Sequence, residues 1–120
     1  MSGKAKYLMI ASMDVDPEYE ALFNEVYDKE HCPNLSKVPG VLGITRYKRG
    51  ELTMNIGGER KTFPVGNEPA YSAIYEIESP DVLTSAAWDK AVEDGRWPSQ
   101  VRPHTRNRRH VLVKLMEPEK

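Results

Sequence analysis

The residues best suited to chemistry are His31 and two aromatic residues that precede it at helical spacing. Phe23, Tyr27 and His31 stand at positions i, i+4 and i+8, so a helix would place two aromatic rings and an imidazole on one stripe. Histidine is the side chain best placed to exchange a proton near neutral pH. The pattern therefore indicates a general acid or base beside a cavity walled by Phe23 and Tyr27. The alternative is a histidine that caps the helix or fills space in the core.

The ends of this helix bear on the state of His31. Asp16 is expected to cap the helix, with Pro17 at its first position. Cys32 precedes a proline, which disfavours the α conformation, so the helix is predicted to end at about His31. A helix C-terminus favours protonated histidine, whereas burial opposes it, and the sequence leaves that balance open. Asp28 could orient the imidazole, but we favour a solvated position for it.

Further candidates lie on predicted strands and in a loop. Tyr47, Tyr71 and Tyr75 could each supply a hydroxyl that stabilises an enolate, although tyrosines in strands are more often core residues. Arg46 and Tyr47 are consecutive on a strand and must point to opposite faces. Trp97 follows Gly95-Arg96 and precedes Pro98, so it is expected in a loop, as a plug in the barrel edge or a lid over a pocket.

Charge and composition exclude several classes of function. The 120 residues include 17 basic and 18 acidic ones, a balance that gives no general attraction to nucleic acid or to an anionic membrane. The local arginine cluster (Arg102, Arg106, Arg108 and Arg109) lacks interleaved aromatic residues. We expect its members to pair with acidic residues at a dimer interface, or one of them to hold a substrate carboxylate or phenolate.

Cysteine and histidine usage argues against metal chemistry and disulfides. The single cysteine fits a reducing, cytoplasmic location, and the histidines do not have the spacing of metal ligands. We therefore expect no metal and no cofactor. The apolar run over residues 7–13 is too short to cross a membrane and reads as a strand.

The order of predicted elements defines an α+β fold in one domain spanning residues 1–120. Four strands are expected, with helices after the first and third strands, and residues 50–69 form a long loop or a loose hairpin at Leu52–Ile56 and Arg60–Val65. The strands are Tyr7–Met13, Val41–Lys48, Tyr71–Ile77 and His110–Leu115, and a second helix capped by Ser79 runs to about Asp94-Gly95. This β-α-β-β-α-β order is ferredoxin-like, with an antiparallel sheet covered by helices on one face. Because the strands carry apolar residues on both faces, we expect a homodimer that joins the bare faces.

Several motifs resemble a known family. They are Tyr27-Asp28-x-Glu30-His31-x-Pro33, Val38-Pro39-Gly40-Val41, Arg46-Tyr47, and residues 73–81. Together they resemble the dimeric α+β barrel superfamily and, within it, the EthD-like group. That superfamily includes isomerases, polyketide cyclases, quinone-forming monooxygenases, haem-degrading enzymes and members without known activity. An equivalent histidine lines the pocket in related members, so the resemblance implies that His31 lines a pocket here.

The sequence thus favours a cofactor-free enzyme of the isomerase, cyclase or lyase type. His31 would be the general acid or base and a tyrosine (Tyr47, Tyr71 or Tyr75) would stabilise an enolate. A small hydrophobic or aromatic ligand would contact the remaining candidates, which are Phe23, Tyr27, Tyr71, Trp97 and Arg46. The alternative is a dimer that binds a hydrophobic metabolite, or supports another enzyme, without catalysis. A haem-handling protein of the same fold is a third interpretation.

Overall fold

The computed structural model describes residues 4–117, which form an α+β fold built on one antiparallel sheet. Its strands are β1 (Tyr7–Val15), β2 (Val41–Lys48), β5 (Tyr71–Ile77) and β6 (Thr105–Lys114), in the spatial order β2-β5-β1-β6. A separate hairpin, β3 (Leu52–Ile56) and β4 (Glu59–Phe63), stands between β2 and β5 in the chain. The predicted ferredoxin-like α+β fold is confirmed.

The first helical region continues past the predicted end at His31. Helix α1 (Glu20–Val26) leads into a π-helical turn (Tyr27–His31) and then helix α2 (Cys32–Ser36). In the π-helical turn the N–H of Cys32 bonds to the carbonyl of Tyr27, five residues back, which widens the backbone ahead of Pro33. Cys32 keeps α-helical angles, φ −64° and ψ −46°, because the widened turn makes room for the proline ring. The prediction of a helix end at His31 is wrong.

The predicted caps are only partly found. Pro17 opens a 3₁₀ turn as expected, but the Asp16 side chain makes no capping bond and instead accepts a hydrogen bond from Arg106 Nε at 3.1 Å. Ser79 does cap a 3₁₀ turn (Pro80–Thr84) by accepting from the N–H of Asp81. The second helix is interrupted at Ser85, whose extended backbone ends that turn.

Ser85 then caps a separate helix. Its hydroxyl accepts a hydrogen bond from the N–H of Trp88 at 3.1 Å, and helix α3 runs over Ala86–Val92. The predicted single helix is therefore two segments, because Ser85 favours a local hydrogen bond over continuing the helix. Trp97, expected in a loop, lies on a π-helical turn (Trp97–Val101).

The hairpin interpretation of residues 50–69 is confirmed, although its second strand is Glu59–Phe63 and not Arg60–Val65. Gly57 and Gly58 have φ values of 62° and 81°, as a two-residue turn with positive φ at both positions requires. On one side of the hairpin, Leu52 lies opposite Phe63, and both side chains are exposed. Strand β6, in turn, begins at Thr105 and not at the predicted His110, so residues 105–109, which lay outside the predicted strand, are also extended.

The sheet has one face packed on the helices and one face open. Residues on the packed face, among them Met9, Met13 and Tyr75, are buried. On the open face Leu8 pairs in register with Val113, and Ile10 with both Val111 and Ile74. Both faces of the strands are thus apolar, as the sequence indicated, and no helix of residues 4–117 covers the open one.

The turn into β2 gives a first prediction about stability. Gly40 has φ +93°, and a Cβ there would lie 2.4 Å from Val82 Cγ2. We expect Gly40→Ala to lower the free energy of unfolding by about 2 kcal/mol in urea titrations, from backbone strain and the clash together. Gly50→Ala is the control, since no atom lies within 4 Å of the added Cβ. Equal effects of the two substitutions would contradict this account.

Candidate functional site

A cavity of about 280 Å³ lies between the packed face of the sheet and the helices. Its walls are mainly apolar and aromatic, with a few nitrogen-bearing side chains. The lining residues are Met9, Ala11, Met13, Tyr27, His31, Leu35, Tyr75, Leu83, Trp88, Val92, Trp97, Arg108 and His110. Such a lining, with few polar groups, is typical of small-molecule sites.

His31 is a buried wall residue of this cavity and not a helix cap. Its side chain is enclosed, with only 5% of the residue exposed. The imidazole stacks on Trp97, with ring centroids 4.4 Å apart and an interplanar angle of 23°, and meets the Tyr27 ring edge-on at 5.1 Å. Nδ1 is buried and has no hydrogen-bond partner among residues 4–117. The helix continues to Ser36, so the capping alternative is excluded.

His31 is neutral at physiological pH. The pKa of the imidazole is lowered to about 4, chiefly by burial and to a smaller extent by the nearby Arg102 charge, while Glu93 acts in the opposite direction. The expected stabilisation of the protonated form by a helix C-terminus does not apply, because the helical backbone runs on beyond His31. A neutral imidazole has one nitrogen free to accept a proton, so in this state His31 can act as a base and not as an acid.

The same depressed pKa predicts a loss of stability in mild acid. The unfolded state binds a proton on His31 near pH 6.5, whereas the folded state does so only near pH 4, so stability falls as the pH drops through this window. Between pH 7 and pH 5 we expect wild type to lose about 2 kcal/mol more than His31→Gln. Urea unfolding of both proteins measures the difference. The free energy of unfolding of His31→Gln at each pH is subtracted from that of wild type. This difference removes the contributions of His110 and of the carboxylates, which both proteins share.

Two buried tyrosines stand beside His31 in the cavity wall. Tyr27 and Tyr75 are paired by a hydrogen bond, and burial raises the pKa of each, which keeps both hydroxyls protonated. One hydroxyl donates to the other, so the acceptor retains its own proton for a further partner. The ring of Trp88 packs edge-on against Tyr75 at 5.5 Å. The wall thus combines a neutral base with a hydroxyl donor.

Three residues that were predicted to contact the ligand lie behind the cavity wall and do not line the cavity. Phe23 is fully buried against the rings of Tyr27 and Tyr71, at 5.2 and 5.0 Å. The Tyr71 hydroxyl donates a hydrogen bond to Glu20. Phe23 and Tyr71 therefore support Tyr27 and do not reach the cavity.

Arg46 is the third of these residues, and its charge is already engaged. The guanidinium lies 4.5 Å from the centroid of the Tyr27 ring and donates to Asp28 Oδ1 at 2.8 Å and Asn24 Oδ1 at 2.7 Å. Arg46 therefore holds Tyr27 from behind. Asp28 is exposed and bonded to Arg46, so it does not orient His31.

Tyr47 does not join the His31 group. Strand alternation places it next to Arg46 but on the open face, where it lines a separate hollow with Leu8, Ile74 and other residues. The prediction of Tyr47 as a catalytic partner of His31 is therefore wrong, and Tyr75 is the tyrosine that shares the cavity.

Several lining residues were not identified from the sequence. Arg108 and His110 reach the cavity from β6, and Leu83, Val92 and Leu35 line it from the helical layer. Trp97 is a buried wall residue, 2% exposed, which matches the expected plug rather than a lid. Strand alternation places Arg108 and His110 on the same face of β6. The sequence prediction did not use this alternation, because it began the strand at His110.

Other chemistries find little support in the described residues. Burial raises the pKa of the Cys32 thiol to about 11, which disfavours a thiolate nucleophile. Within residues 4–117 no three His, Cys, Asp or Glu side chains are grouped to hold a metal ion. No helix in that range has the length and apolarity needed to cross a membrane.

Comparison with known proteins identifies the fold. No family model and no curated protein matches the chain. An EthD (ethyl tert-butyl ether D) family protein from Bacillus halodurans is 14% identical, with a TM-score of 0.55 over 92% of this chain and 99% of that one. A mutant of MhuD with two manganese protoporphyrin IX molecules bound per active site is 12% identical, with a TM-score of 0.58 over 95% and 98%.

The haem degrader MhuD from Mycobacterium tuberculosis, with two haems bound, is 15% identical, with a TM-score of 0.50 over 95% of this chain and 99% of that one. These identities are low while the coverage is nearly complete. The chain therefore has the ferredoxin-like α+β fold of the EthD-family protein and MhuD, as the resemblance implied.

Proposed function

We propose that the protein is a cofactor-free enzyme that moves a proton on a small, largely apolar ring compound, with His31 as the general base. The observation that carries this proposal is a buried, neutral imidazole in the wall of an apolar cavity, beside a protonated tyrosine pair. The volume of about 280 Å³ suits a compound of one or two rings better than it suits haem.

The proposed reaction begins with proton transfer to His31. The imidazole takes a proton from a carbon next to a carbonyl, and the C–H electron pair becomes the carbon–carbon double bond of an enolate. The free hydroxyl proton of the Tyr27–Tyr75 pair hydrogen-bonds to the enolate oxygen as its negative charge develops. In an isomerisation the enolate is conjugated with a further double bond, and imidazolium returns the proton to the far carbon of that dienolate. In a cyclisation the enolate carbon attacks a second carbonyl carbon of the same molecule, the C=O π pair moves to that oxygen, and the oxygen takes the proton from imidazolium.

Deuterium exchange tests this proposal without knowledge of the natural substrate. Wild-type protein in deuterated buffer is expected to accelerate exchange at the carbons beside the carbonyl of 2-tetralone, followed by proton NMR. Because the imidazole must be neutral to act as a base, the rate should rise with pH to a plateau governed by a pKa near 4 in the free protein. Exchange no faster than in protein-free buffer would contradict the proposal.

The active form in this proposal is a cytoplasmic homodimer. The open sheet face presents Leu8, Ile10, Ile74, Val111 and Val113, and burying it against a second copy removes apolar area from water. Its two copies would meet face to face, leaving the two cavities on the outer, helical sides. A free thiol at Cys32 is compatible with a reducing compartment.

A second candidate function is ligand binding without catalysis. It is favoured by one observation: no carboxylate or carbonyl among the described residues bonds to Nδ1 to orient the imidazole. Tryptophan fluorescence, with Trp88 and Trp97 in the wall, reports binding separately from exchange. Quenching by ring compounds without any exchange activity would favour this second function.

A further inference from the structure

We propose that the natural ligand carries a carboxylate, held by Arg108 at the mouth of the cavity while its ring lies between the aromatic walls. This inference rests on the proposed function, since it names the class of ring compound that the same cavity takes. It concerns Arg108 and His110, neither of which has a role in the proton transfer.

The charged groups around the cavity are all of one sign. The cavity lining includes an arginine, two histidines, two tryptophans and two tyrosines, but no aspartate or glutamate. Arg108 is exposed at the edge of this apolar lining, and a cation there without a counter-charge attracts an anion. A neutral ring compound would leave the guanidinium of Arg108 facing the cavity without a counter-charge.

Arg108 is left without an acidic partner, unlike Arg102, Arg106 and Arg96. Arg102 pairs with Glu93 at 2.7 Å, and Arg106 with Asp16 at 3.1 Å. Arg96 likewise pairs with Glu30 at 2.6 Å. Arg108 makes no salt bridge with any residue of the described chain, 4–117.

A bulge in β6 separates Arg108 from this pairing. In the register with β1, Arg109 lies opposite Ser12 but Arg106 opposite Asp14, so two residues of β6 face the single residue between them. Asn107 has φ +53° at this point. The bulge turns Arg106 towards Asp14 and Asp16 and leaves Arg108 on the cavity side with His110.

Depth within the cavity fixes the orientation of the ligand. Arg108 and His110 are exposed, whereas His31, Trp97 and Tyr75 are buried. The carboxylate therefore stays near solvent, where the planar guanidinium can bind both of its oxygens, and the apolar ring enters first. This places the ring carbons, and not the carboxylate, against His31.

Matched ligand pairs test the inference. We would titrate wild type with 2-naphthoate and 2-naphthamide, and with benzoate and benzamide, following tryptophan fluorescence. The two members of a pair have nearly the same shape, and only one carries a charge. We expect each carboxylate to bind about tenfold more tightly than its amide at low salt, as a charge-assisted hydrogen-bond pair allows. The preference should shrink as salt is added.

Two variants locate the effect. Arg108→Gln should bind acid and amide alike, whereas Arg109→Gln, which removes the same charge one residue away and outside the cavity lining, should keep the preference. Equal binding of acid and amide by wild type would overturn the carboxylate inference and leave the apolar ring cavity standing. Binding of neither pair would overturn the proposed function as well. A preference retained in Arg108→Gln would exclude Arg108 as its source.

Discussion

His31→Gln is expected to exchange deuterium into 2-tetralone about 100- to 10 000-fold more slowly than wild type, the usual contribution of a positioned general base. Glutamine is close to histidine in size and preserves contact with the aromatic wall, but its amide cannot take up a proton at neutral pH. The stacking partner Trp97, which lies 4.4 Å from the imidazole centroid, should remain in place. The comparison therefore isolates the proton acceptor from the shape of the cavity.

His104→Gln is the matched control for this experiment. His104 stacks on Tyr19 with ring centroids 3.5 Å apart and does not line the cavity. Its replacement should leave the exchange rate within about twofold of wild type. Near-wild-type exchange by His31→Gln would refute the assignment of His31 as the base. In that event fluorescence titration of the same variant would show whether His31 contributes to binding.

The packed side of the site was largely predictable from periodicity. Phe23, Tyr27 and His31 recur at helical spacing, and the structure places all three on the buried face of one helical region. Residues Tyr71 and Tyr75 alternate in phase on β5 and face the same layer. The same rule could have excluded Tyr47, because its neighbour Arg46 faces the helices. This periodicity can be recognised in the sequence because a helix or a strand repeats the same side-chain directions at a fixed interval.

The irregular features were not predictable because tertiary contacts decide them. The π-helical turn at Tyr27–His31 lets the chain pass Pro33 in a helix, against the usual preference of the residue before a proline. The bulge at Asn107 decides which arginines pair with acids and which one faces the cavity. In both places a one-residue shift in backbone hydrogen bonding redirects a side chain. The helix and strand propensities of single residues do not predict such a shift.

These irregularities are also what make the site distinctive. The π-helical turn contains both Tyr27 and His31, so the two wall residues are presented by a widened backbone. Such turns occur frequently at functional sites, and bulges next to active sites re-aim side chains. The proposed base and the proposed carboxylate contact thus each depend on a local departure from regular structure.

Replacing Val113 by glutamate is expected to convert the proposed homodimer into monomers. Val113 lies on the open face, in register with Leu8, amid the apolar residues that would meet a second copy. Each interface would then bury two additional carboxylates, one from each protomer, and taking such charges out of water at an apolar interface costs several kcal/mol. We expect the dissociation constant to rise at least about 1000-fold, which corresponds to about 4 kcal/mol.

Sedimentation velocity at micromolar concentrations measures this change directly. Ala87→Glu adds the same charge at an exposed position of α3, on the helical side, and should remain dimeric. Circular dichroism should show that both variants keep the wild-type content of helix and strand, because the open face contributes little to the packed core. A monomeric wild type, or a Val113→Glu protein that stays dimeric, would rule out the open face as the interface. Since the cavity lies on the opposite face of the sheet, monomeric Val113→Glu should still bind ring compounds and quench tryptophan fluorescence.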